Sequence, residues 1–136
     1  MKADNFDQTT AKGDGDIDVT AANNMTNVDL DAVKGTITAN AVNVTGGSWF
    51  AGSDLTLDAT NITSLQADSA NGTLIATADE IGNSSFDADA GDVVLSAANI
   101  FGVSANAYSN IEVNSIDELG TISNSEFNAT FGNIEL

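Results

Sequence analysis

The sequence predicts an all-β chain, a parallel β-solenoid (β-helix) of about six coils of 18–20 residues plus a partial seventh. Three observations predict it. A five-residue motif recurs at near-constant spacing along the chain. Apolar residues alternate with polar ones inside each recurrence, and no window carries the i, i+3, i+4, i+7 stripe of a helix. The 136 residues contain no proline, which suits a fold in which every strand donates to a neighbour.

The motif copies are Gly15-Asp16-Ile17-Asp18-Val19, Gly35-Thr36-Ile37-Thr38-Ala39, Ser53-Asp54-Leu55-Thr56-Leu57, Gly72-Thr73-Leu74-Ile75-Ala76, Gly91-Asp92-Val93-Val94-Leu95 and Ser109-Asn110-Ile111-Glu112-Val113. Their central apolar residues lie 20, 18, 19, 19 and 18 apart, and Ile134 opens another copy after a step of 23. A longer period is cleaner. Ile17, Leu55 and Val93 are 38 apart, and Ile37, Leu74 and Ile111 are 37 apart. The chain therefore reads as repeated two-turn units. The two turns differ at one corner. Met25 to Val28, Ile62 to Leu65 and Ile100 to Val103 span three residues, whereas Val44 to Trp49, Ile81 to Phe86 and Ile122 to Phe127 span five. Alternate turns are thus expected to carry a corner longer by two residues, at Gly46-Gly47-Ser48, Asn83-Ser84-Ser85 and Asn124-Ser125-Glu126.

Strands this short cannot bury a face alone. Stacked coil on coil at ~4.8 Å, they bury one together. The stacking predicts a column of Ile17, Ile37, Leu55, Leu74, Val93 and Ile111, and a narrow interior explains the many alanines. Asn24, Asn43, Asn61 and Asn99 recur before an inward residue, with Glu80 and Glu118 at the matching place, which predicts a hydrogen-bonded asparagine ladder. A β-sandwich is the rival fold, but it predicts hairpin turns and irregular spacing. Residues 1–14 are polar and are expected as an N-terminal tail or cap that buries Phe6. Residues 15–136 form the solenoid.

Asp54-Leu55-Thr56-Leu57-Asp58-Ala59-Thr60-Asn61-Ile62 and Gly91-Asp92-Val93-Val94-Leu95-Ser96-Ala97-Ala98-Asn99-Ile100 resemble the repeats of filamentous-haemagglutinin-type adhesins. Those are large proteins of two-partner secretion systems and related autotransporters. The resemblance spans Gly15 to Leu136. It implies a right-handed parallel β-helix and an extracellular or cell-surface setting. The family's secretion-domain motifs are not found in this chain, and Met1–Gly15 has no apolar signal-peptide core.

Composition excludes several function classes. Twenty acidic residues against three lysines give a net charge of −17, so nucleic acid and anionic lipid are not expected partners. Histidine and cysteine are absent, which removes thiol chemistry, zinc sites and Ser-His-Asp catalysis. No apolar run is long enough to insert in a membrane. No residue is expected to be catalytic. There is no arginine for a pectate-lyase-like base, and the bulky Trp49, Phe86 and Phe127 fall in the inward phase, as core rather than as a sugar platform. No cofactor is expected apart from calcium. Asp87, Asp89 and Asp92 have the alternate-acid spacing of calcium loops, as does Asp14 to Asp18, but neither completes a loop with a distant bidentate Glu, and a solvated acidic face is the favoured account of them.

Six Asn-x-Ser/Thr triplets occur, three of them aligned at Asn24, Asn43 and Asn61; ladder asparagines explain these without glycosylation. The outward row Asp18, Thr38, Thr56, Ile75, Val94 and Glu112 is too irregular for an ice-binding array. The chain stops with Ile134 and Leu136 in the inward phase, an open self-assembly edge. It is expected either to be cut from a longer solenoid or to stack end to end. The function these readings predict is a non-catalytic structural or adhesive segment of a secreted or surface protein, with an unknown host-surface or matrix ligand. The alternative is the protomer of a filament that stacks head to tail.

Overall fold

The computed structural model describes residues 1–117 and 119–136, and contains strands, turns and bends but no helix among them. In chain order the strands are β1 (Lys2–Asp7), β2 (Thr10–Gly13), β3 (Ile17–Thr26), β4 (Asp29–Ala32), β5 (Ile37–Asn40), β6 (Asn43–Thr45), β7 (Ser48–Ala51), β8 (Leu55–Asp58) and β9 (Asn61–Thr63). They continue with β10 (Gln66–Ser69), β11 (Leu74–Gly82), β12 (Ser85–Ala88), β13 (Val93–Phe101), β14 (Ser104–Ala107), β15 (Ile111–Ser115), β16 (Thr121–Ser123), β17 (Glu126–Ala129) and β18 (Ile134–Glu135).

Every pairing is parallel and joins a strand to its equivalent one turn away, so the chain is a parallel β-solenoid and not a sandwich. Each turn supplies three strand segments. The first two build an 11-stranded sheet, in which β3, β11 and β13 run through the corner between sides one and two. The third builds a 7-stranded sheet in the order β17-β14-β12-β10-β7-β4-β2, which sets the number of turns at about seven. The additional turn comes from the N-terminus. The segment expected as a tail or cap is itself β1 and β2, which pair in parallel with β3 and β4, with one register shift between Ala3 and Asn5. Phe6 sits opposite Met25 and packs against the core.

The predicted column is present. Ile17, Ile37, Leu55, Leu74, Val93, Ile111 and Ile134 are partners in successive turns. From Ile37 to Ile111 they are at most 1% exposed. A second column runs Met25, Val44, Ile62, Ile81, Ile100, Ile122 along side two.

The corner between sides two and three corrects the sequence reading. Its length does not alternate. Met25 to Leu30, Val44 to Trp49, Ile62 to Ala67, Ile81 to Phe86, Ile100 to Ala105 and Ile122 to Phe127 all span the same five residues, and the second members are partners across side three. What alternates is bulk. The corner slot holds Val28, Gly47, Leu65, Ser84, Val103 and Ser125, and the inward slot two residues on holds Leu30, Trp49, Ala67, Phe86, Ala105 and Phe127. From the second of these turns on, an aliphatic corner goes with an alanine, and a glycine or serine corner goes with an aromatic. The aromatics therefore stack on alanines or on Leu30, not on each other, so bulky and small side chains alternate along the column. The doubled period of 37 to 38 residues has this packing alternation as one cause.

The same corner needs a left-handed residue in each turn. Gln8, Asn27, Gly46, Ser64, Asn83, Gly102 and Asn124 occupy equivalent places and all have positive φ, between 45° and 70°. Asparagine and glycine tolerate this conformation best, which explains their recurrence there. The serines at the next position keep the corner satisfied. Ser84 Oγ accepts from the Leu65 N–H at 3.1 Å and donates to the Gly82 carbonyl at 2.8 Å. Trp49 uses its indole in the same way, with Nε1 donating to the Val28 carbonyl at 2.8 Å.

Candidate functional site

The chemistry-bearing residues lie on the outer surface, so the candidate site is a set of outward columns. On side two, Asn24 Nδ2 donates to Asn5 Oδ1 at 3.1 Å, Asn43 to Asn24 at 2.8 Å and Asn61 to Asn43 at 2.8 Å. This is the expected ladder, extended one turn downward by Asn5. Its next position is Glu80, which takes no part in the amide bonds described. Beyond it, Asn99 Oδ1 accepts from Thr121 Oγ1 at 2.8 Å. Thr121 is the partner of Asn99; Glu118, expected on this ladder, lies outside the described residues. The three aligned Asn-x-Thr triplets accordingly have their amide nitrogens engaged between turns. Glu80→Asn should join the two halves of the ladder through up to two added amide hydrogen bonds. The expected gain is about 1 kcal/mol, read as a rise in urea midpoint at unchanged m-value.

A second column sits just before side one. Asp16 Oδ1 accepts the Thr36 N–H at 2.9 Å, Asp54 Oδ1 the Thr73 N–H at 2.8 Å and Asp92 Oδ1 the Asn110 N–H at 2.7 Å. Aspartate in one turn recurs every 38 residues and threonine or asparagine in the next every 37, the same two-turn period as the core. The backbone N–H and hydroxyl of Thr36 hold the Asp16 carboxyl below the usual carboxylate range.

Of the three calcium candidates, Asp92 is therefore committed to its neighbour's backbone. It also accepts from Asn110 Nδ2 at 3.1 Å. Asp87 lies on side three, where Oδ1 accepts from Asn106 Nδ2 at 2.7 Å and Oδ2 from Ser85 Oγ at 3.3 Å. Asp89 is exposed just past the end of β12. Among the described residues no group of three acidic side chains is arranged as metal ligands.

The sequence reading missed Asp68. It is Asp87's partner one turn away, and the 19-residue spacing between them is the signal that finds it. Its Oδ1 is buried without a hydrogen-bond partner. Burial, then the charges of Asp89 and Asp87, push its carboxyl above the usual range. The folded state therefore binds a proton here more tightly than the unfolded chain. This group's contribution favours folding below the ordinary carboxylate pKa and is lost as pH rises through the raised value. Asp68→Asn should raise the Tm at pH 7 relative to the parent chain, and the difference should shrink as pH falls below the carboxylate range. Asp16 works in the opposite direction, so Asp16→Asn should lower the Tm at neutral pH.

Trp49 and Phe86 are buried, as the sequence predicts, and Phe127 is half-buried against the core. The exposed aromatics are others: Tyr108 and Phe131 meet at one corner with ring centroids 4.8 Å apart. Ile134 is paired to Ile111 through β18, and Leu136 beyond it is exposed. No helix among the described residues is long and apolar enough to cross a membrane. Comparison with protein-family models, with curated proteins and with solved structures returns no match to this chain.

Proposed function

We propose that the chain is a non-catalytic structural and adhesive segment of an extracellular or cell-surface β-helical protein. One observation carries the structural part. Several outward groups that a binding or catalytic site could use instead hold one turn to the next: Asn5 to Asn61 by amide ladder, Asp16, Asp54 and Asp92 by backbone capture. Such a surface supports a passive mechanism, in which the solenoid spaces or displays what it is attached to. The adhesive role and the surface location rest on the resemblance of the repeats to filamentous-haemagglutinin-type adhesins. The strongly acidic surface favours solubility and keeps like segments apart at low salt.

The test couples the chain to beads and measures their retention under flow on cell layers and on matrix glycoproteins. Retention above that of beads carrying a charge-matched, non-repeat protein is expected. Equal retention overturns the adhesive part, and turnover of a polysaccharide by the purified chain overturns the non-catalytic part.

A further inference from the structure

We infer that the corner after side three carries a saccharide-binding notch built around Tyr108, and that its ligand is a neutral sugar ring. The inference rests on the adhesive reading above and deepens it by naming the chemistry of a ligand.

Asp89, Tyr108 and Thr130 each follow the alanine that ends side three, so in three successive turns they project outward at the same corner. Beside them, on side three itself, run Asp87 and its partner Asn106. The two columns flank a notch lined by Asp87, Asp89, Asn106, Tyr108 and Thr130. Asn106 is on β14, which lies between β12 and β17, so the notch is on the flank of the stack and not at either end.

Among the described residues Tyr108 and Phe131 are the exposed aromatics, at 49% and 75%. Tyr108 is braced from the next turn. The Phe131 N–H donates to its carbonyl at 3.0 Å, and the two rings meet at a centroid distance of 4.8 Å and a tilt of 50°. A rigid exposed ring suits the apolar C–H face of a sugar, whose hydroxyls then reach outward to polar neighbours.

Those neighbours are in place. Asn106 Nδ2 donates to Asp87 Oδ1 at 2.7 Å and Ser85 Oγ donates to Asp87 Oδ2 at 3.3 Å. Both planar groups are thus oriented before a ligand arrives, which lowers the ordering cost of binding. These bonds leave Asn106 its carbonyl oxygen and one N–H. Thr130 adds a hydroxyl and Asp89 an exposed carboxylate. A lining that both donates and accepts matches hydroxyl groups, which do both. An ammonium or guanidinium group only donates, and it would face the remaining Asn106 N–H. The two carboxylates, on a chain of net charge −17, act against acidic sugars. The ligand class that fits is a neutral hexopyranoside.

Two-dimensional amide NMR of the parent chain, titrated with the methyl glycosides of glucose, galactose and mannose, tests this. Glucuronate and methylguanidinium serve as the charged probes at matched ionic strength. At least one neutral glycoside should shift the signals of residues 87–89, 106–108 and 130–131 and few others. The charged probes should leave those signals in place. Tyr108→Ala should weaken glycoside binding about tenfold or more at an unchanged circular dichroism spectrum, because the ring lies outside the core. No shift with any neutral glycoside, shifts scattered over the surface, a response to methylguanidinium alone, or parental affinity in Tyr108→Ala each overturns the proposal. A chain that binds no glycoside yet retains beads on cell layers overturns this inference and leaves the adhesive reading standing.

Discussion

Gly47→Ala is expected to cost more than about 3 kcal/mol and to leave the chain largely unfolded at physiological temperature. Gly47 has φ 104°, outside the range that residues with a side chain adopt readily. Its missing side chain is equally constrained. A Cβ built there overlaps the backbone carbonyl oxygen of Val28 in the adjoining turn, and backbone in a parallel ladder cannot move aside as a flexible side chain can. The stacked design makes the effect larger. A shifted turn misaligns the strands on either side of it, and the strands of a solenoid have no other partners. Gly15→Ala is the control, because nothing lies within 4 Å of a Cβ built at Gly15. Thermal melts by circular dichroism should show near-parental stability for Gly15→Ala and loss of the transition for Gly47→Ala.

Phe86→Ala should cost about 3–5 kcal/mol, the range for truncating a buried aromatic. Phe86 is 0% exposed, and its column neighbours Ala67 and Ala105 are too small to close over the space it leaves. The corner slot before it holds Ser84, whose hydroxyl is bonded on both sides, so it cannot swing in either. Phe127→Ala, in the same column but half-buried at the last turn, should cost much less. The reverse change tests the same packing. Ala67→Phe adds an aromatic between Trp49 and Phe86, making three in successive turns, and overpacking should destabilise by about 1–3 kcal/mol or more. Chemical denaturation at constant m-value separates these three outcomes.

Much of the fold is legible in the sequence because a solenoid repeats its physics. The inward column from Ile17 to Ile134 is visible as spacing alone, and the period-two alternation fixes which residues face in. The corner after side two is misread for an identifiable reason. Val28, Leu65 and Val103 are apolar where Gly47, Ser84 and Ser125 are not, so the first apolar residue after the side-two column comes sooner in alternate turns. Spacing of apolar residues then mimics a change in length, while the backbone keeps one length and one left-handed residue throughout. The N-terminal turn is obscured because β1 carries a single large inward residue, Phe6, in otherwise polar sequence. Its pairing becomes clear only when Asn5 is aligned with Asn24.

The outer surface was less legible. Spacing shows that Asp87 and Asp92 both recur near turns. It does not show that Asp92 captures a backbone N–H or that Asp87 lies beside Asp68. Acidic residues at alternate positions have the same pattern whether they bind a cation, cap a neighbouring turn or face water. The distinction lies in the partner one turn away, and that partner is found by adding about nineteen residues rather than two. Asn61 to Glu80 and Asp68 to Asp87 are both pairs of this kind.

The most direct test of the account is the step of one turn between partners. The chain has no cysteine, so engineered pairs report without background. Thr45 and Thr63 are partners on side two, with their hydroxyl oxygens 3.4 Å apart, and Thr26 is one turn further along. Neighbouring parallel strands lie ~4.8 Å apart, within reach of a disulfide, whereas a two-turn separation of about 9.6 Å is beyond it. The double variant Thr45→Cys with Thr63→Cys should oxidise readily to an intramolecular disulfide in the folded chain, and Thr26→Cys with Thr63→Cys should not. Efficient bridging of the second pair, or failure of the first, would contradict the stacked parallel solenoid.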